Sequence, residues 1–208
     1  MTIRVPDRKR QIVDQATRLF SRNGFDKVTV KDLAQACGIT EPALYRHFKS
    51  KEAIYDAVLS SLGASLEHQE LFDRLADEDR LDVMLNEIAE HILTFFNAHR
   101  EPYRLLLYSA LGQHTKARQV YRSIRLPYVE FLQKRLDHLY AEGLVIKKDN
   151  EITAKCFVGM VFDCATCSIL WNSFQGRKCA PQELIANNIP IFVSGLSTGR
   201  KAKKADQS

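Results

Sequence analysis

The sequence predicts an all-α protein in two parts, a short N-terminal group of helices followed by a longer helical region. Apolar residues recur every three or four positions through most of the 208 residues, and 45% of the chain is hydrophobic, enough for a buried core. Glycines stand where these periodic segments stop, as at Gly24, Gly38 and Gly143. Helices commonly end on a glycine in the left-handed conformation, so these positions support the helical interpretation.

A helix-turn-helix motif is predicted between residues 28 and 48, VTVKDLAQACGITEPALYRHF. Thr29 stands three residues ahead of an aspartate, which is a helix N-cap signature, and Gly38 stops the first helix. Thr40 is placed to cap a second helix with Pro42 in its first turn, where the missing N–H costs nothing. In this motif the second helix enters the DNA major groove. An ordinary helical hairpin without DNA contacts is the alternative.

A first helix completes this N-terminal unit. From Asp7 to Asn23 apolar side chains share one helical face, and Gly24 ends the helix. We expect it to pack across the two hairpin helices over a small core. The predicted core side chains are Phe25, Leu33, Ile39, Leu44 and Phe48.

A longer helix is expected to follow the motif. Ser50 caps it, and Glu52 lies in its first turn, where the helix macrodipole favours an acid. We predict that this helix runs to about Phe72. The polar, acidic segment 73–80 should form a loop.

Five more helices are predicted downstream. Pro127 lies inside the third of them and predicts a kink or break near Arg125, and Pro190 is expected to bend the last one. Residues 147–151 read as a turn. The predicted helices span 81–97, 102–111, 116–142, 152–174 and 181–198.

The last two helices are the predicted dimer interface. Helix 152–174 is apolar nearly all round, which is typical of a helix buried on more than one side. Helix 181–198 adds an apolar face. Together they hold more apolar surface than one side of a bundle can hide. We therefore expect them to form a four-helix interface with their copies in a homodimer.

Charge is distributed unevenly along the chain. Residues 1–51 contain 11 Lys and Arg against 5 Asp and Glu, whereas residues 52–198 contain 15 against 19. A basic arm at Arg4, Arg8, Lys9 and Arg10 opens the chain. A basic module on an acidic body is typical of a protein that contacts phosphates through one end, although a solvated surface with uneven charge is the alternative.

Composition argues against membrane and secreted proteins. No run reaches 18 apolar residues, and the first ten residues contain no apolar stretch after a basic one. Five cysteines, an odd number without framework spacing, fit a reducing compartment. We therefore expect a cytoplasmic protein.

Residues 8–55 closely resemble the DNA-binding domain of the tetracycline-repressor (TetR) family. The resemblance implies a helix-turn-helix DNA-binding domain at 1–50 and a helical regulatory and dimerisation domain at 51–198. The composition of residues 199–208 predicts a disordered basic tail. The matching residues are Ile12, Ala16, Leu19, Phe20, Gly24, Phe25, Thr29, Ala34, Gly38, Ile39, Leu44, Tyr45, His47, Phe48, Lys51 and Glu52.

The DNA contacts expected from this resemblance centre on the second hairpin helix, Thr40 to His47. Residues of its first turn are placed to face base edges, since Pro and Ala can touch thymine methyls and Glu can accept from a cytosine amino group; Glu41 is equally suited to the helix dipole. Family positions that usually hold phosphates are matched by Thr29, Tyr45, His47 and Lys51. Arg46 faces outward towards a base or phosphate. The predicted DNA-binding residues are Thr29, Thr40, Glu41, Pro42, Ala43, Tyr45, Arg46, His47 and Lys51.

A ligand pocket among the C-terminal helices is the family's second site. Large aromatic residues are common in protein cores. Ordinary core packing is therefore the alternative explanation for each aromatic residue of the predicted lining. Arg104, Arg122 and Arg125 are candidates for an anionic ligand, with solvent exposure the simpler account. Asp163 is flanked by apolar residues, and an acid in such a place needs a partner. The alternatives for this partner are a ligand, an arginine and a second subunit. The predicted lining is Phe95, Tyr103, Tyr108, Tyr121, Tyr128, Phe131, Phe157, Asp163 and Trp171.

No catalytic residue, metal site or cofactor is predicted. Cys164 and Cys167 form a C-x-x-C, but they lie on a helix expected to be buried, and His114 and His138 lack ligand-like spacing. The sequence shows no phosphate loop or nucleophile elbow. We expect a repressor that leaves a palindromic operator when it binds a small apolar or amphipathic molecule. A DNA-binding regulator without a ligand and a helical enzyme with an incidental hairpin are the alternatives.

Overall fold

The structure, a computed structural model, describes residues 7–170 and 180–199. Within those ranges the chain forms ten α-helices and one isolated β-bridge, so the all-α prediction is confirmed. Trp171, the first six residues and the tail after Gly199 lie outside the described residues. The helices are α1 Arg8–Asn23, α2 Val30–Ala36, α3 Glu41–Tyr45, α4 Lys51–Ala64, α5 Gln69–Leu75, α6 Leu81–Ala98, α7 Arg100–Leu111, α8 Thr115–Ala141, α9 Asn150–Leu170 and α10 Pro181–Leu196.

One compact unit, the first unit below, contains the described residues up to Leu66 together with His99–Ile124. In it α1 packs against α2, α4 and α7, α2 packs against α3, and α4 packs against α7. Leu33 and Leu44 are buried as predicted, because they point into the space between these helices. The other three predicted core residues of the hairpin region are only partly buried, since short helices enclose little volume: Phe25, Ile39 and Phe48.

The second compact unit contains Glu67–Ala98 and the residues from Arg125 onwards. In it α6 packs against α5, α9 and α10, and α9 packs against α10. The segment after α8 is tied to the end of α10 by backbone hydrogen bonds. The Ile146 amide donates to the Leu196 carbonyl oxygen at 2.7 Å, beside the β-bridge between Val145 and Ser197.

The prediction of a single helix that runs to Phe72 is wrong, because α4 ends at Ala64 and α5 begins at Gln69. Three serine hydroxyls near the end of α4 bond to backbone carbonyl oxygens within the helix, a local competition that weakens helices. The predicted loop at 73–80 is correspondingly shorter. Leu71 and Leu75 are both buried, and their four-residue spacing extends α5 into that segment.

Two helices continue through internal prolines. Pro127 lies inside α8 and Pro190 inside α10, and neither helix is interrupted there. The break expected near Arg125 is therefore not found. Ile124 and Tyr128, on either side of Pro127, are each 1% exposed, so packing on both sides holds the helix although proline removes one backbone donor.

No helix within residues 7–170 or 180–199 combines the length and the apolar character that crossing a bilayer requires.

Candidate DNA-binding interface and regulatory sites

The hairpin between α2 and α3 fixes the short second helix. Gly38 has a φ of +64°, a conformation that glycine adopts without strain. The Ile39 amide then donates to the Ala34 carbonyl oxygen at 3.0 Å. Thr40 caps α3 by accepting a hydrogen bond from the Ala43 amide at 3.4 Å. This local geometry is the helix-turn-helix expected from the sequence.

The outer side of α3 is open to solvent. Its exposed positions recur at i, i+1, i+4 and i+5, which lie on one side of a helix, whereas Leu44 is buried on the other. The helix ends at Tyr45, so the partly buried His47 lies in the following turn rather than in the helix. Ala43 is also partly buried, and Thr40 is exposed at the cap. Four predicted DNA-binding residues therefore share one accessible surface: Glu41, Pro42, Tyr45 and Arg46.

Thr29 is the N-cap of α2. Its hydroxyl accepts a hydrogen bond from the Asp32 amide at 3.1 Å and donates one to the Asp32 carboxylate at 2.7 Å. The carboxylate also accepts from the Thr29 amide at 2.9 Å, which completes a capping box. These bonds hold the pKa of the Asp32 carboxyl below its ordinary value. The hydroxyl proton of Thr29 is thus occupied, and a phosphate can bind it only after this bond breaks.

Lys51, another predicted phosphate contact, has a structural role in the first unit. Its ammonium group donates to the carbonyl oxygens of Phe25 and Val28, at 3.0 and 3.1 Å. The same nitrogen lies 4.2 Å from the centroid of the Phe25 ring. Two of its three N–H groups therefore stabilise the loop between α1 and α2, and one remains for a phosphate oxygen.

The nine predicted ligand-lining residues are divided between the two units. Tyr103, Tyr108 and Tyr121 belong to the first unit, where Tyr103 is buried and Tyr108 is 64% exposed. Trp171 lies outside the described residues. The structure therefore does not gather all nine into one described site, and their role in ligand binding stays a prediction. The remaining five belong to the second unit: Phe95, Tyr128, Phe131, Phe157 and Asp163.

An aromatic cluster in the second unit contains two of these residues. Phe72 stacks on Phe131 with ring centroids 4.4 Å apart and planes 4° apart, and Tyr128 meets Phe72 edge-on at 5.6 Å. The Tyr128 hydroxyl lies 2.7 Å from Nδ1 of His91, whose Nε2 lies 3.1 Å from the Glu67 carbonyl oxygen. Because a carbonyl only accepts, Nε2 carries the proton and Nδ1 accepts from Tyr128. Burial lowers the pKa of His91 and raises that of Tyr128.

Burial favours the neutral thiol form of Cys164 and Cys167 on α9, which lie near Asp163. Asp163 is exposed in the single chain, and Cys167 Sγ donates to its carboxylate over 3.9 Å. Cys164 is buried, and burial is the main cause that raises its pKa to about 11. Its thiol is thus protonated at neutral pH, unlike a nucleophile or metal ligand. Among the residues that the structure describes, no group of three or more His, Cys, Asp or Glu side chains is placed to hold a metal ion.

A family model described as bacterial regulatory proteins, tetR family, matches residues 12–58. The match covers most of α1, both helices of the hairpin and the first half of α4. Residues 12–58 belong to the tetR family. The resemblance over residues 8–55 is therefore confirmed.

Relatives of this chain extend the likeness beyond the matched segment. The uncharacterized HTH-type transcriptional regulator YerO of Bacillus subtilis (strain 168) is 26% identical over 140 residues, 66% of this chain and 48% of that protein. The HTH-type transcriptional repressor KstR2 of Rhodococcus jostii (strain RHA1) is 42% identical over 52 residues, 25% of this chain and 26% of that protein. The chain thus spans about half the length of the first relative and about a quarter of the second.

A solved structure shares the fold of this chain over nearly its whole length. AibR, in a crystal structure described as a complex with isovaleryl coenzyme A and operator DNA, matches with a TM-score of 0.64 at 22% identity. The match covers 90% of this chain and 99% of that one. At this identity the likeness shows a common fold.

The two helices predicted to dimerise leave apolar side chains in solvent. In the single chain Ile152 on α9 is 58% exposed and Ile191 on α10 is 63% exposed. Cys156 and Asp163 on α9 are exposed as well. Exposed apolar side chains of this kind are suited to contact with a second copy.

Two small residues of the proposed interface helix α9 face their own chain. A Cβ atom added to Gly159 would lie 2.9 Å from Nη2 of Arg125, whose guanidinium also donates to the Lys155 carbonyl oxygen. Ala165 is 2% exposed within the single chain. A large charged residue at either position therefore tests internal packing rather than dimerisation.

Sequence reasoning missed two polar residues of the first unit, Tyr55 and Ser109, and it named Arg104 without its backbone partner. Tyr55 hydrogen-bonds to Ser109, and Arg104 donates to the Ser21 carbonyl oxygen at 3.0 Å. A signal for Tyr55 was available, because it shares the buried face of α4 with Val58 and Leu59, and a buried tyrosine hydroxyl needs a partner. No local pattern points to the bond between Ser109 and Tyr55 or to that between Arg104 and Ser21, because these partners are 54 and 83 residues apart in sequence.

Proposed function

We propose that the protein is a transcriptional repressor that binds palindromic operator DNA as a homodimer and is released by a small ligand. The observation that carries this proposal is the helix-turn-helix itself. Its second helix presents Glu41, Pro42, Tyr45 and Arg46 to solvent on one side, while Leu44 anchors the other side in the core. A recognition helix needs this division between an open face and an anchored one.

The named relatives support the same class of function. KstR2 is called a transcriptional repressor, and AibR is described with both isovaleryl coenzyme A and operator DNA bound. Both descriptions concern those proteins. For this chain they favour a repressor that responds to a ligand, over an enzyme. The absence of catalysis and of a cofactor stays a prediction.

The proposed roles of the DNA-facing residues follow from their chemistry. Glu41, Pro42 and Ala43 read base edges, the first by accepting from a cytosine amino group and the others by touching thymine methyls. Arg46 reaches a base or a phosphate. The proposed phosphate contacts are Thr29, Tyr45, His47 and Lys51, and Thr40 lies beside them in the DNA-binding set. The net charge of +6 over residues 1–51 adds a sequence-independent attraction to DNA.

The homodimer is proposed to form through residues 152–174 and 181–198. Two recognition helices of a dimer must lie about 34 to 36 Å apart to enter successive major grooves on one face of DNA. A palindromic operator is the expected partner of a two-fold symmetric dimer. A DNA-binding domain at 1–50, a regulatory domain at 51–198, a disordered basic tail at 199–208 and a cytoplasmic location remain parts of this proposal.

Release by a ligand is a shift between two states. A ligand that fits only the state with poor operator geometry lowers operator affinity by no more than its differential affinity for the two states. A hundredfold loss of affinity corresponds to about 2.7 kcal/mol, which is within the usual range of coupling between sites. The many aromatic residues of the second unit favour an apolar or amphipathic ligand.

Selection of duplexes from a random pool by the full chain tests the DNA half of the proposal. We expect a palindromic site to be enriched, and an unenriched pool would contradict operator binding. Isovaleryl coenzyme A, the ligand in the AibR structure, is the first probe for release. Titrated into the operator complex with an acetyl coenzyme A control, a releasing ligand lowers operator affinity and leaves the dimer mass unchanged.

A ligand-independent DNA-binding regulator is the second candidate. The observation that favours it is the direct contact of the Phe72 ring with the rings of Phe131 and Tyr128, since packed aromatic rings are typical of an ordinary core. Operator affinity that does not change with any apolar or amphipathic probe, in a protein that still selects a palindrome, would support this candidate.

A further inference from the structure

We propose that the first unit contains a second ligand site, for a small aromatic carboxylate, in a cleft beside the DNA-binding helices. The cleft has a volume of about 550 Å³, which is the size of typical small-molecule sites. It lies between the end of α1 with the following loop, Tyr55 on α4, the second half of α7, and His114. The proposal goes beyond the effector expected among the C-terminal helices, since every residue of this cleft belongs to the first unit.

The apolar part of the cleft is aromatic. The Tyr55 ring meets Phe20 edge-on with centroids 5.0 Å apart and lies 4.7 Å from Phe25. Tyr108 lines the same cleft, is 64% exposed, and makes no ring contact within the described part of the chain. An exposed tyrosine near a cluster of ring edges leaves room for one more flat ring, because aromatic pairs favour edge-on and offset contacts.

The charged part of the cleft favours an anion. Arg104 is partly buried, and one N–H of its guanidinium donates to the Ser21 carbonyl oxygen at 3.0 Å. The structure assigns it no carboxylate partner in residues 7–170 or 180–199, and a guanidinium has five donors. Arg22 adds a second positive charge to the lining, and Asp26 is the one acid there. A free guanidinium edge binds a carboxylate through two parallel hydrogen bonds.

Two polar atoms of the lining residues also lack hydrogen-bond partners among the described residues. Ser21 Oγ and His114 Nδ1 are buried and have no hydrogen-bond partner among the described residues. Buried polar atoms in folded proteins nearly always have a partner, from the protein, from water or from a ligand. His114 Nε2 faces Asp56 Oδ1 at 3.8 Å, so Nδ1 is the ring nitrogen that lacks a partner.

A purely structural role for Arg104 is the competing account. Its bond to Ser21 helps to satisfy the carbonyl end of α1, as basic side chains often do at helix C-termini. That role uses one donor and explains neither the volume of the cleft nor the exposed ring of Tyr108. It predicts that removing Arg104 destabilises the chain and leaves binding of small anions unchanged.

Titration of the full chain with benzoate, followed by backbone amide chemical shifts, tests the site without DNA. We expect saturable shifts at residues 20–26 and 104–114. Benzamide, the uncharged analogue of the same shape, should bind about tenfold more weakly, because it cannot form charge-assisted bonds. Since no operator is present, failure here leaves the proposed repressor function untouched, and loss of operator binding elsewhere leaves this site untouched.

Matched variants locate the binding. Arg104→Gln should weaken benzoate binding about tenfold, and Arg118→Gln, which removes the same charge from α8 outside the cleft, should not. Tyr108→Ala, at an exposed position that is not expected to affect folding, should also weaken binding. Equal affinities for Arg104→Gln and Arg118→Gln, equal affinities for benzoate and benzamide, or an absence of saturable shifts would each overturn the site.

Discussion

The Tyr55 hydroxyl donates a hydrogen bond to the Ser109 hydroxyl oxygen and so joins α4 to α7. The direction is fixed because Ser109 uses its single proton to donate to the Leu105 carbonyl oxygen at 2.7 Å. Tyr55 is 4% exposed, and burial raises the pKa of its hydroxyl. A buried polar contact therefore ties the DNA-binding helices to α7 within the first unit.

The two partners of this contact should respond differently to substitution. Ser109→Ala leaves the Tyr55 hydroxyl buried without an acceptor, so we expect a loss of about 1–3 kcal/mol in the free energy of unfolding. Tyr55→Phe leaves Ser109 bonded to Leu105 and should cost less, about 0.5–1.5 kcal/mol. Urea denaturation of each variant measures the difference.

The double variant Tyr55→Phe with Ser109→Ala is the control for this pair. Once the tyrosine hydroxyl is gone, removing the serine hydroxyl leaves no buried donor without a partner. The double variant should therefore lose less free energy of unfolding than the sum of the two single losses. Strict additivity of the two losses would show that the hydroxyl groups act independently and that the contact does not tie α4 to α7.

Dimerisation should depend on the exposed apolar positions of α9 and α10. Ile191→Asp, or Ile152→Asp, places a charge in the proposed interface, where burying an unpaired carboxylate is costly. We expect light scattering at micromolar concentration to change from the mass of a dimer to that of a single 23.8 kDa chain. Leu111→Asp is the matched control, since Leu111 is 79% exposed on α7, outside the proposed interface. A monomeric wild type, or dimers of all variants, would contradict the interface.

Loss of a phosphate contact should weaken binding to all DNA sequences alike. Tyr45→Phe removes one hydroxyl from a side chain that is 49% exposed, and we expect a loss of about two- to tenfold with an unchanged salt dependence. Lys51→Ala should lower the slope of log affinity against log salt by about one. It should also reduce stability, because its bonds to Phe25 and Val28 are lost. A changed sequence preference with an unchanged salt slope would assign these residues to base reading instead.

Acid should destabilise the second unit through His91. Burial lowers the pKa of the folded His91 below its ordinary value of 6.5, so the unfolded chain binds the proton at a higher pH than the folded chain does. The contribution to stability is therefore complete above about pH 6.5 and is lost as pH falls through the folded pKa. Urea unfolding at stepped pH measures this decline, which His91→Gln should reduce. His138→Gln, on α8, is the histidine control, and an equal reduction by both variants would contradict the assignment.

The sequence alone determined the features that depend on neighbouring residues. The capping box joins Thr29 to a residue three positions away, and Gly38 takes its positive φ in a turn of the same hairpin. Ser50 likewise caps α4 by accepting from the Ala53 amide, as expected. Such contacts form within one turn of chain, so residue type and spacing are enough to predict them.

Only the tertiary structure decided how the polar residues of the first unit are used. Lys51 bonds to carbonyl oxygens 26 and 23 residues away, Tyr55 bonds to Ser109 54 residues away, and Arg104 bonds to Ser21 83 residues away. None of these partners shares a helical period with its donor. Their contacts exist because packing of α1, α4 and α7 brings distant backbone and side-chain atoms together and excludes the water that would otherwise bind them.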